Sequence, residues 1–453
     1  MFLTATLGLR QGCNLSPILF SLFINELATD ISSCGGHGVQ LTPSLVEIFL
    51  LMFADDVALV ADTVVGLQRQ LNTLNTFCMK NKLKVNTSKT KVLVFRSGGT
   101  LAQREKWYYD NQPLDIVSGF TYVGIYFTSG LSMYKMADAS ATKARKVFGA
   151  ISKSLLSLPY IDMKTYFKVF DTKVAPVMLY GCELWGMMDI QSIENVQTHA
   201  CKRFLGTSMK SCNSAVTGDL GRFPLYITTS IRCLKYWIRL LKMPENRYVK
   251  LCYNMMKLYD SIGYSNWVTK LRQNLFLNGF GYIWDAQCIS NERVFLHEYM
   301  TRLRDQYLQI WKQRCISNSK LAPFYAHIKP CFGTEAYISA IDIPKFRRSL
   351  ASFRSSSHSL MIEKGRYENV CKTERFCFYC ANVVEDEYHF IIQCPLYCDI
   401  RKQYIPNKYV MFPSLNKFHI LCSCTNTNIM RMLAMYIYYA SKKRNVYLEE
   451  HNA

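Results

Sequence analysis

The chain has 453 residues, of which 49% are hydrophobic and 19% charged, so it is too apolar for a disordered protein and long enough for about two to four domains. Lysine and arginine exceed aspartate and glutamate by 21, which favours a polyanionic partner, either nucleic acid or an acidic membrane surface. The 18 scattered cysteines and the lack of a signal-peptide pattern predict a reducing compartment. No uninterrupted apolar stretch reaches 18 residues, so we expect no transmembrane segment.

The N-terminal third predicts a mixture of helices and strands. A glycine-containing loop with Arg10 and Gln11 precedes a helix, for which Ser16 is a suitable cap and Pro17 a suitable first-turn residue. Residues 46–61 then read VEIFLLMFADDVALVA. Two β-prone stretches flank Ala54-Asp55-Asp56, and burying two adjacent ionised carboxylates is costly. The pattern therefore predicts a hairpin whose tip exposes both acids.

Further elements follow in chain order. Apolar residues at helical spacing predict a helix over 65–82. The stretch LKVNTSKTKVLVF, 83–95, is expected to return as a strand, and 120–130 as another short extended piece. From about residue 131 onward, the pattern is mainly helical.

The paired acids have two interpretations. Two solvated turn residues are the commoner one, because Asp is frequent in turns. A rigid tip with exposed carboxylates also suits Mg²⁺, whose shell is completed by phosphates and water. Two such ions at a polymerase site activate the primer hydroxyl and hold the triphosphate.

The order of four blocks decides between these interpretations. GLRQGCNLSPILF at 8–20 is followed by FADD at 53–56, NTSKTKVLVF at 86–95 and FTYVGIYF at 120–127. This succession resembles the palm of reverse transcriptases from non-LTR (LINE-type) retrotransposons. The resemblance implies Mg²⁺ as cofactor, with Asp55 and Asp56 as ligands and catalytic residues. It also implies template and nucleotide binding by Arg10, Gln11 and Gly12.

Two further blocks carry roles by the same resemblance. Lys89 matches a lysine that protonates or stabilises the leaving pyrophosphate, although a solvated lysine at a strand end is an equal alternative. Residues 120–127 match the primer grip. The family has an earlier strand with another metal-binding Asp, and the first aspartate of this sequence is Asp30. The expectation is therefore a truncated palm with a metal site short of one carboxylate, without the endonuclease domain of many family members.

The segment CFYCANVVEDEYHFIIQC offers a second metal site. The residue types and spacing of a zinc knuckle are present in Cys377, Cys380, His389 and Cys394. A loop this short needs a bound metal ion to fold. Four unrelated residues in a cysteine-rich chain are the alternative, and Cys371 and Cys398 are competing ligands. LINE-type reverse transcriptases carry a similar C-terminal Cys/His segment, with acids before the His. Zinc knuckles bind single-stranded RNA.

Basic residues near this segment suggest nucleic-acid contacts. The strip over 345–370 is basic and serine-rich, which suits a linker or an RNA-binding surface. Its candidate binding residues are Arg347, Arg348, Arg354, His358 and Arg366. Basic residues also cluster at 143–146 and are interleaved with aromatic residues at 235–239. In such helices, a buried aromatic side and a solvated basic side are the more common arrangement.

We therefore predict an α+β fold: a partial polymerase palm, then a mainly helical thumb and a C-terminal region with a small zinc knuckle. The expected domains are palm 1–130, thumb 131–215, connector 216–344, basic strip and knuckle 345–400, and tail 401–453. The implied function is RNA-directed DNA synthesis on an RNA template from a DNA primer, at a nicked chromosome and hence in the nucleus, with a cytoplasmic RNA-bound phase. The alternatives are a catalytically dead RNA-binding derivative and a fragment of a longer active enzyme.

Overall fold

The computed structural model of the chain describes residues 13–41, 47–158 and 160–451. It divides into two compact units. The first comprises residues 1–139, 235–277 and 281–288, and the second comprises residues 140–234, 278–280 and 289–453. The five-domain division expected from the sequence stays a prediction.

The strands of the described residues form five two-stranded sheets in the first unit. Four sheets are antiparallel and one is parallel. The pairs are Val39–Gln40 with Glu47–Ile48, Leu50–Phe53 with Asp56–Leu59, Lys91–Val92 with Asp115–Ile116 (the parallel pair), Tyr108–Tyr109 with Gln112–Pro113, and Gly119–Tyr122 with Ile125–Thr128. The predicted mixture is confirmed in its coarse form, with small sheets in a mostly helical chain.

Helices pack against these sheets and make their core. The predicted helix over 65–82 is observed as Val64–Lys80, where the Thr63 hydroxyl accepts a hydrogen bond from Gly66 N at 3.0 Å. Leu27 and Phe77 are buried in one apolar cluster that also receives residues of the strands. The helices wholly within this unit are Ser16–Ile24, Glu26–Ser33, Val64–Lys80, Tyr248–Ser261, Trp267–Leu277 and Gly281–Ala286.

Two sequence expectations need correction here. Ser16 is the first helical residue and not the cap, a position taken by Leu15 without a side-chain hydrogen bond. The expected strand over 83–95 is reduced to Lys91–Val92. The reason is a turn at Asn86, whose carbonyl accepts hydrogen bonds from Lys89 N and Thr90 N at 3.1 and 3.0 Å. Asn favours such turns over an extended ladder.

Among the described residues of the second unit, the regular elements are helices, with one isolated antiparallel bridge between Phe376 and Val384. Met133–Leu156 and Leu225–Leu241 contain residues of both units. The other helices are Met163–Val169, Phe170–Val174 (π), Ala175–Met178, Gln191–Leu205, Asn213–Leu220, Glu292–Ser317, Tyr325–Ile328, Tyr337–Ala340, Pro344–Arg354, Met361–Tyr367, Lys372–Glu374 (3-10), His389–Gln393 (π), Pro395–Tyr397 (3-10), Cys398–Tyr404, Asn407–Val410, Leu415–Cys422 and Thr427–Glu450.

A buried carboxylate organises the centre of this second unit. Asp219 accepts hydrogen bonds from the hydroxyls of Tyr325 and Tyr337 and from Arg354 Nε, each at 2.9 Å. Arg354 also donates to Glu335 at 2.7 Å. Since a buried charge is tolerated only when it is paired and hydrogen-bonded, these contacts hold the surrounding helices in a fixed arrangement.

Within the described ranges, no helix combines the length and the apolar character that crossing a membrane requires.

Candidate functional site

The two acids lie at a hairpin tip, as the sequence predicts. Phe53 pairs with Asp56, so Ala54 and Asp55 are the two turn residues and Asp56 opens the second strand. Ala54 adopts a φ of 55°, in the left-handed region that short hairpin turns need. Both carboxylates belong to exposed residues. They therefore remain hydrated and carry no burial cost.

Apolar packing makes this acidic hairpin rigid. Met52, Val57 and Leu59 of its strands pack against the buried cluster that contains Phe77. Val60 N donates to Phe49 O at 2.8 Å and extends the ladder beyond the strand ends. A tip held from beneath in this way presents its carboxylates in nearly fixed positions, which a metal site needs.

A second hairpin supports the first. The Tyr122 hydroxyl, on the segment predicted as primer grip, donates to Leu51 O at 3.5 Å. Partial burial raises the pKa of Tyr122, and the negative charge of Asp56 raises it further. The turn of this second hairpin has Val123 and Gly124 at φ of 44° and 81°. Residues 119–128 therefore lie beside the acids, a proximity that the sequence did not predict.

The donor set of the acidic hairpin fits Mg²⁺ in type. Mg²⁺ prefers oxygen ligands and is commonly held by one or two carboxylates, with phosphates and waters completing the octahedron. Among the residues that the structure describes, no third acidic, His or Cys side chain joins Asp55 and Asp56 in a metal-binding group. In this part of the chain, the hairpin thus offers two carboxylates.

The other predicted residues of the first unit are placed as follows. Lys89 is exposed. Its backbone N–H donates a hydrogen bond to the Asn86 side-chain oxygen at 3.2 Å, so an Asx turn fixes the backbone conformation before Lys89. Arg10, Gln11 and Gly12 lie outside the described residues. Trp237 belongs to the core, where its indole N–H donates to Tyr253 at 2.9 Å.

Four metal-ligand side chains meet in the second unit. The ligand atoms of Cys377, Cys380, His389 and Cys394 all lie within 4.8 Å of one another. Cys394 Sγ is 3.9 Å from the Sγ of Cys377 and 3.9 Å from that of Cys380. Metal–sulfur bonds of 2.3 Å in a tetrahedron separate the sulfurs by about 3.8 Å. The spacing in the sequence therefore brings together a donor set with metal-site geometry.

Unpaired atoms support this interpretation of the cluster. Both ring nitrogens of His389 are buried without a hydrogen-bond partner, an unfavourable state that a coordinate bond would relieve. The close contact between the two thiols lowers the pKa of Cys377 and raises that of Cys394. Cys371 and Cys398 are exposed and stand outside the group. The competing ligand sets therefore have no support in this structure.

The acids before His389 have structural partners. Asp386 accepts a hydrogen bond from His389 N at 2.7 Å. Glu387 lies 3.2 Å from His358 Nε2. Glu385 is buried and accepts from both Arg444 Nε and Nη2 at 2.6 Å. All three acids thus fix the loop that carries the cluster.

Arg401 is a supporting residue that sequence reasoning missed. It donates to Ile391 O and to Cys394 O, both at 2.7 Å, and is itself buried. Arg401 and Arg444 belong to helices that follow the cluster, and neither stands in a recognisable motif. Only their position on otherwise apolar helix faces could have indicated a buried role.

The basic strip differs from the expected surface. Arg347 and Arg354 are buried, the latter against Asp219, so neither guanidinium is accessible to a phosphate. His358 is largely enclosed beside Glu387. Arg348 is exposed, and Arg366, partly exposed, pairs with Glu363 at 3.0 Å. The segment forms the helix Pro344–Arg354 with buried Phe346, Leu350 and Phe353, because its apolar residues recur at helical spacing.

Comparison with known proteins places the acidic hairpin in a family context. Residues 2–127 match the reverse transcriptase (RNA-dependent DNA polymerase) family. The chain is 34% identical over 131 residues, 28% of its length, to the retrovirus-related Pol polyprotein from type-1 retrotransposable element R2 of Popillia japonica. It is 26% identical over 196 residues, 42% of its length, to the probable RNA-directed DNA polymerase from transposon BS of Drosophila melanogaster.

A longer and weaker match covers most of the chain. The chain is 21% identical over 402 residues, 87% of its length, to the putative 115 kDa protein in type-1 retrotransposable element R1DM of Drosophila melanogaster. The matched parts make up 18%, 21% and 34% of the lengths of these three relatives, so the chain spans about a third of them at most. The resemblance to reverse transcriptases of non-LTR retrotransposons, expected from the four sequence blocks, is confirmed.

Proposed function

We propose that this chain, which carries a reverse transcriptase domain of the non-LTR retrotransposon type, is the C-terminal part of an RNA-directed DNA polymerase. The polymerase would copy element RNA into DNA from a primer 3′ hydroxyl. One observation carries the proposal: within the segment that matches the family, a hairpin packed on the apolar cluster presents Asp55 and Asp56 in exposed positions at its tip.

The residues of the first unit would divide the work of phosphoryl transfer. Asp55 and Asp56 would hold Mg²⁺, which when bound lowers the pKa of the primer hydroxyl and neutralises charge on the triphosphate. Through its hydrogen bond to Leu51 O, Tyr122 would hold the acidic hairpin in a fixed position relative to the primer-grip hairpin. Lys89 would stabilise the leaving pyrophosphate. Arg10, Gln11 and Gly12 would contact the template and the incoming nucleotide.

In the second unit, we propose zinc at the Cys377, Cys380, His389 and Cys394 cluster. Three thiolates and one imidazole match the soft, tetrahedral donor set of structural zinc, and no position remains for a catalytic water. The site would stabilise the fold and help to hold RNA, as other knuckles do. Arg348 and Arg366 are the candidate arginines of the basic strip that remain at least partly exposed, and they would contact RNA as well.

The proposed partners are an RNA template and a DNA primer or target. Synthesis at a chromosomal nick would place the protein in the nucleus, with an RNA-bound phase in the cytoplasm. An RNA-binding protein without polymerase activity is the second candidate. It is favoured by the described part of the acidic hairpin, which supplies two carboxylates and no third.

Primer extension tests the proposal. The purified chain receives an RNA template, a labelled DNA primer, Mg²⁺ and deoxynucleotides. Asp55→Asn with Asp56→Asn removes the charges and keeps the side-chain shapes, while Asp62→Asn removes an exposed charge beyond the hairpin. Incorporation that the double variant lacks and Asp62→Asn retains is the expected result. No incorporation above the double variant, with RNA binding intact, would favour the second candidate.

A further inference from the structure

A groove with aromatic and basic walls lies on the C-terminal helices of the second unit. It has a volume of about 540 Å³, within the range of small-ligand sites of roughly 300–1,000 Å³. The helix Thr427–Glu450 contributes Tyr439, Lys442 and Lys443, which share one face at helical spacing. The helix Cys398–Tyr404 contributes Tyr404 from the opposite wall. We call this the tyrosine–lysine groove.

The two tyrosines are already arranged as a stack. The rings of Tyr404 and Tyr439 lie 5.7 Å apart between centroids, with planes inclined by 12°. Both rings are partly exposed in the groove. An exposed aromatic stack provides faces on which a nucleobase can lie, and such stacking is indifferent to base identity.

The lysines supply charge beside the stack. Lys442 is exposed, and Lys443 Nζ lies 3.6 Å from Asp399, whose side chain is 86% exposed. An ion pair this exposed contributes little, so a phosphate can replace Asp399 at small cost. Lys345 Nζ lies 5.2 Å from the ring centroid of Tyr438, which contacts Tyr439. Lys345 thus adds a third cation near the tyrosine stack.

We propose that the tyrosine–lysine groove binds single-stranded RNA, with a base on the Tyr404–Tyr439 stack and the adjoining phosphates on Lys442 and Lys443. The chain's net charge of +21 makes a polyanion the complementary ligand. The proposal deepens the proposed function, on which its choice of RNA rests. It adds an RNA contact on the helices that follow the Cys/His cluster to those proposed for Arg348 and Arg366.

Fluorescence anisotropy with a labelled 12-nucleotide oligouridine RNA tests the proposal on the full chain. Tyr404→Ala with Tyr439→Ala should weaken binding about tenfold, since stacking of a base is lost. Tyr404→Phe with Tyr439→Phe keeps the rings and should bind within about twofold of the unaltered chain. Wild-type affinity in the alanine variant would overturn the proposal.

Lysine variants give a readout that does not depend on the packing of the tyrosines. Lys442→Gln with Lys443→Gln should reduce the slope of log affinity against log salt by about 1.4, corresponding to two phosphates on a single strand. Arg293→Gln with Lys312→Gln removes two exposed charges elsewhere in the unit and should leave the slope unchanged. Equal slopes in the two variants would contradict the assignment of phosphates to the groove.

Crosslinking separates this proposal from the proposed function. RNA containing 4-thiouridine should crosslink to peptides with Tyr404 or Tyr439. Crosslinks confined to other segments would overturn the groove while leaving RNA binding by the chain intact. No RNA binding by the unaltered chain would overturn both proposals. Loss of phosphatidylserine-vesicle binding in the lysine variant, with RNA affinity unchanged, would identify the groove as a membrane contact.

Discussion

Glu385 and Arg444, 59 residues apart, form a buried ion pair in which both carboxylate oxygens accept hydrogen bonds at 2.6 Å. Their side chains are 3% and 4% exposed. Glu385 also accepts from Met361 N at 2.7 Å. Glu385, which lies between Cys380 and His389 in the sequence, therefore connects the loop of the Cys/His cluster to the C-terminal helix and to the segment before the cluster.

Breaking this pair should destabilise the second unit strongly. Glu385→Gln leaves Arg444 buried without a counter-charge, and the loss of one partner in such a pair typically costs about 3–5 kcal/mol. Urea unfolding followed by circular dichroism would measure the change. The matched control is Asp342→Asn, which removes a carboxylate from the exposed pair with Arg431 at 3.2 Å. Its cost should stay under about 1 kcal/mol, and equal losses in both variants would contradict this view.

Metal content should follow the four clustered ligands. We expect about one zinc ion per chain, and near zero in Cys394→Ser or His389→Ala, because a structural site needs its complete ligand set. Mass spectrometry of the purified protein for bound metals measures this directly. Cys398→Ser removes an exposed neighbouring thiol and should keep the metal. Equal zinc content in Cys394→Ser and Cys398→Ser would exclude the cluster as the site.

The stability of the second unit should depend on pH through Glu194. Burial raises the pKa of this carboxyl from 4.5 to about 7, although Tyr226 N donates to it at 2.8 Å. Glu194 therefore ionises at a lower pH in the unfolded chain than in the folded chain. As pH rises from about 4.5 to 7, the free energy of unfolding should fall by on the order of 3 kcal/mol. Below pH 4.5 the contribution is fully retained.

The variant Glu194→Gln isolates this contribution. Gln keeps an acceptor for Tyr226 N and cannot ionise, so it should be more stable than the unaltered chain at pH 8 and similar to it at pH 4. Urea unfolding at several pH values measures the difference. Glu298→Gln, at an exposed position of the same unit, serves as control. A constant difference between Glu194→Gln and the unaltered chain over this range would show that Glu194 is not responsible.

Arginines of the basic strip should separate into two kinds. Arg354→Met removes the cation that Asp219 and Glu335 share, and should cost about 3–5 kcal/mol of unfolding free energy. Arg348→Gln should leave stability nearly unchanged and lower the salt dependence of RNA binding by about 0.7. Paired unfolding and anisotropy measurements check both. Destabilisation by Arg348→Gln comparable to Arg354→Met would contradict the division.

Local signals allowed part of this structure to be predicted. The acidic hairpin follows from two β-prone runs around Asp55-Asp56, and the helix at Val64–Lys80 from its apolar spacing. The Cys/His cluster follows from ligand spacing alone. Each of these features is determined by residues close together in the chain.

Features that depend on distant contacts were missed. The basic neighbours of Arg354 in the sequence predict a surface position, yet the residue is buried in an ion pair with Asp219, 135 residues earlier. The ion pair of Arg444 with Glu385, 59 residues apart, is likewise not predictable from neighbouring residues in the sequence. An arginine is normally predicted to be solvent-exposed from sequence. The fold is needed to identify the carboxylate that pairs with a buried guanidinium.

Manganese binding tests the central claim most directly, because it does not require turnover. Mn²⁺ replaces Mg²⁺ at oxygen-ligand sites and is visible by electron paramagnetic resonance. The chain is titrated with Mn²⁺ in the presence of an RNA template, a DNA primer and a non-hydrolysable deoxynucleotide. We predict that Asp55→Asn with Asp56→Asn weakens binding at least about tenfold, the effect of losing both carboxylates of a site, while Asp62→Asn does not. Identical titrations for the unaltered chain and the double variant would show that the hairpin tip holds no metal.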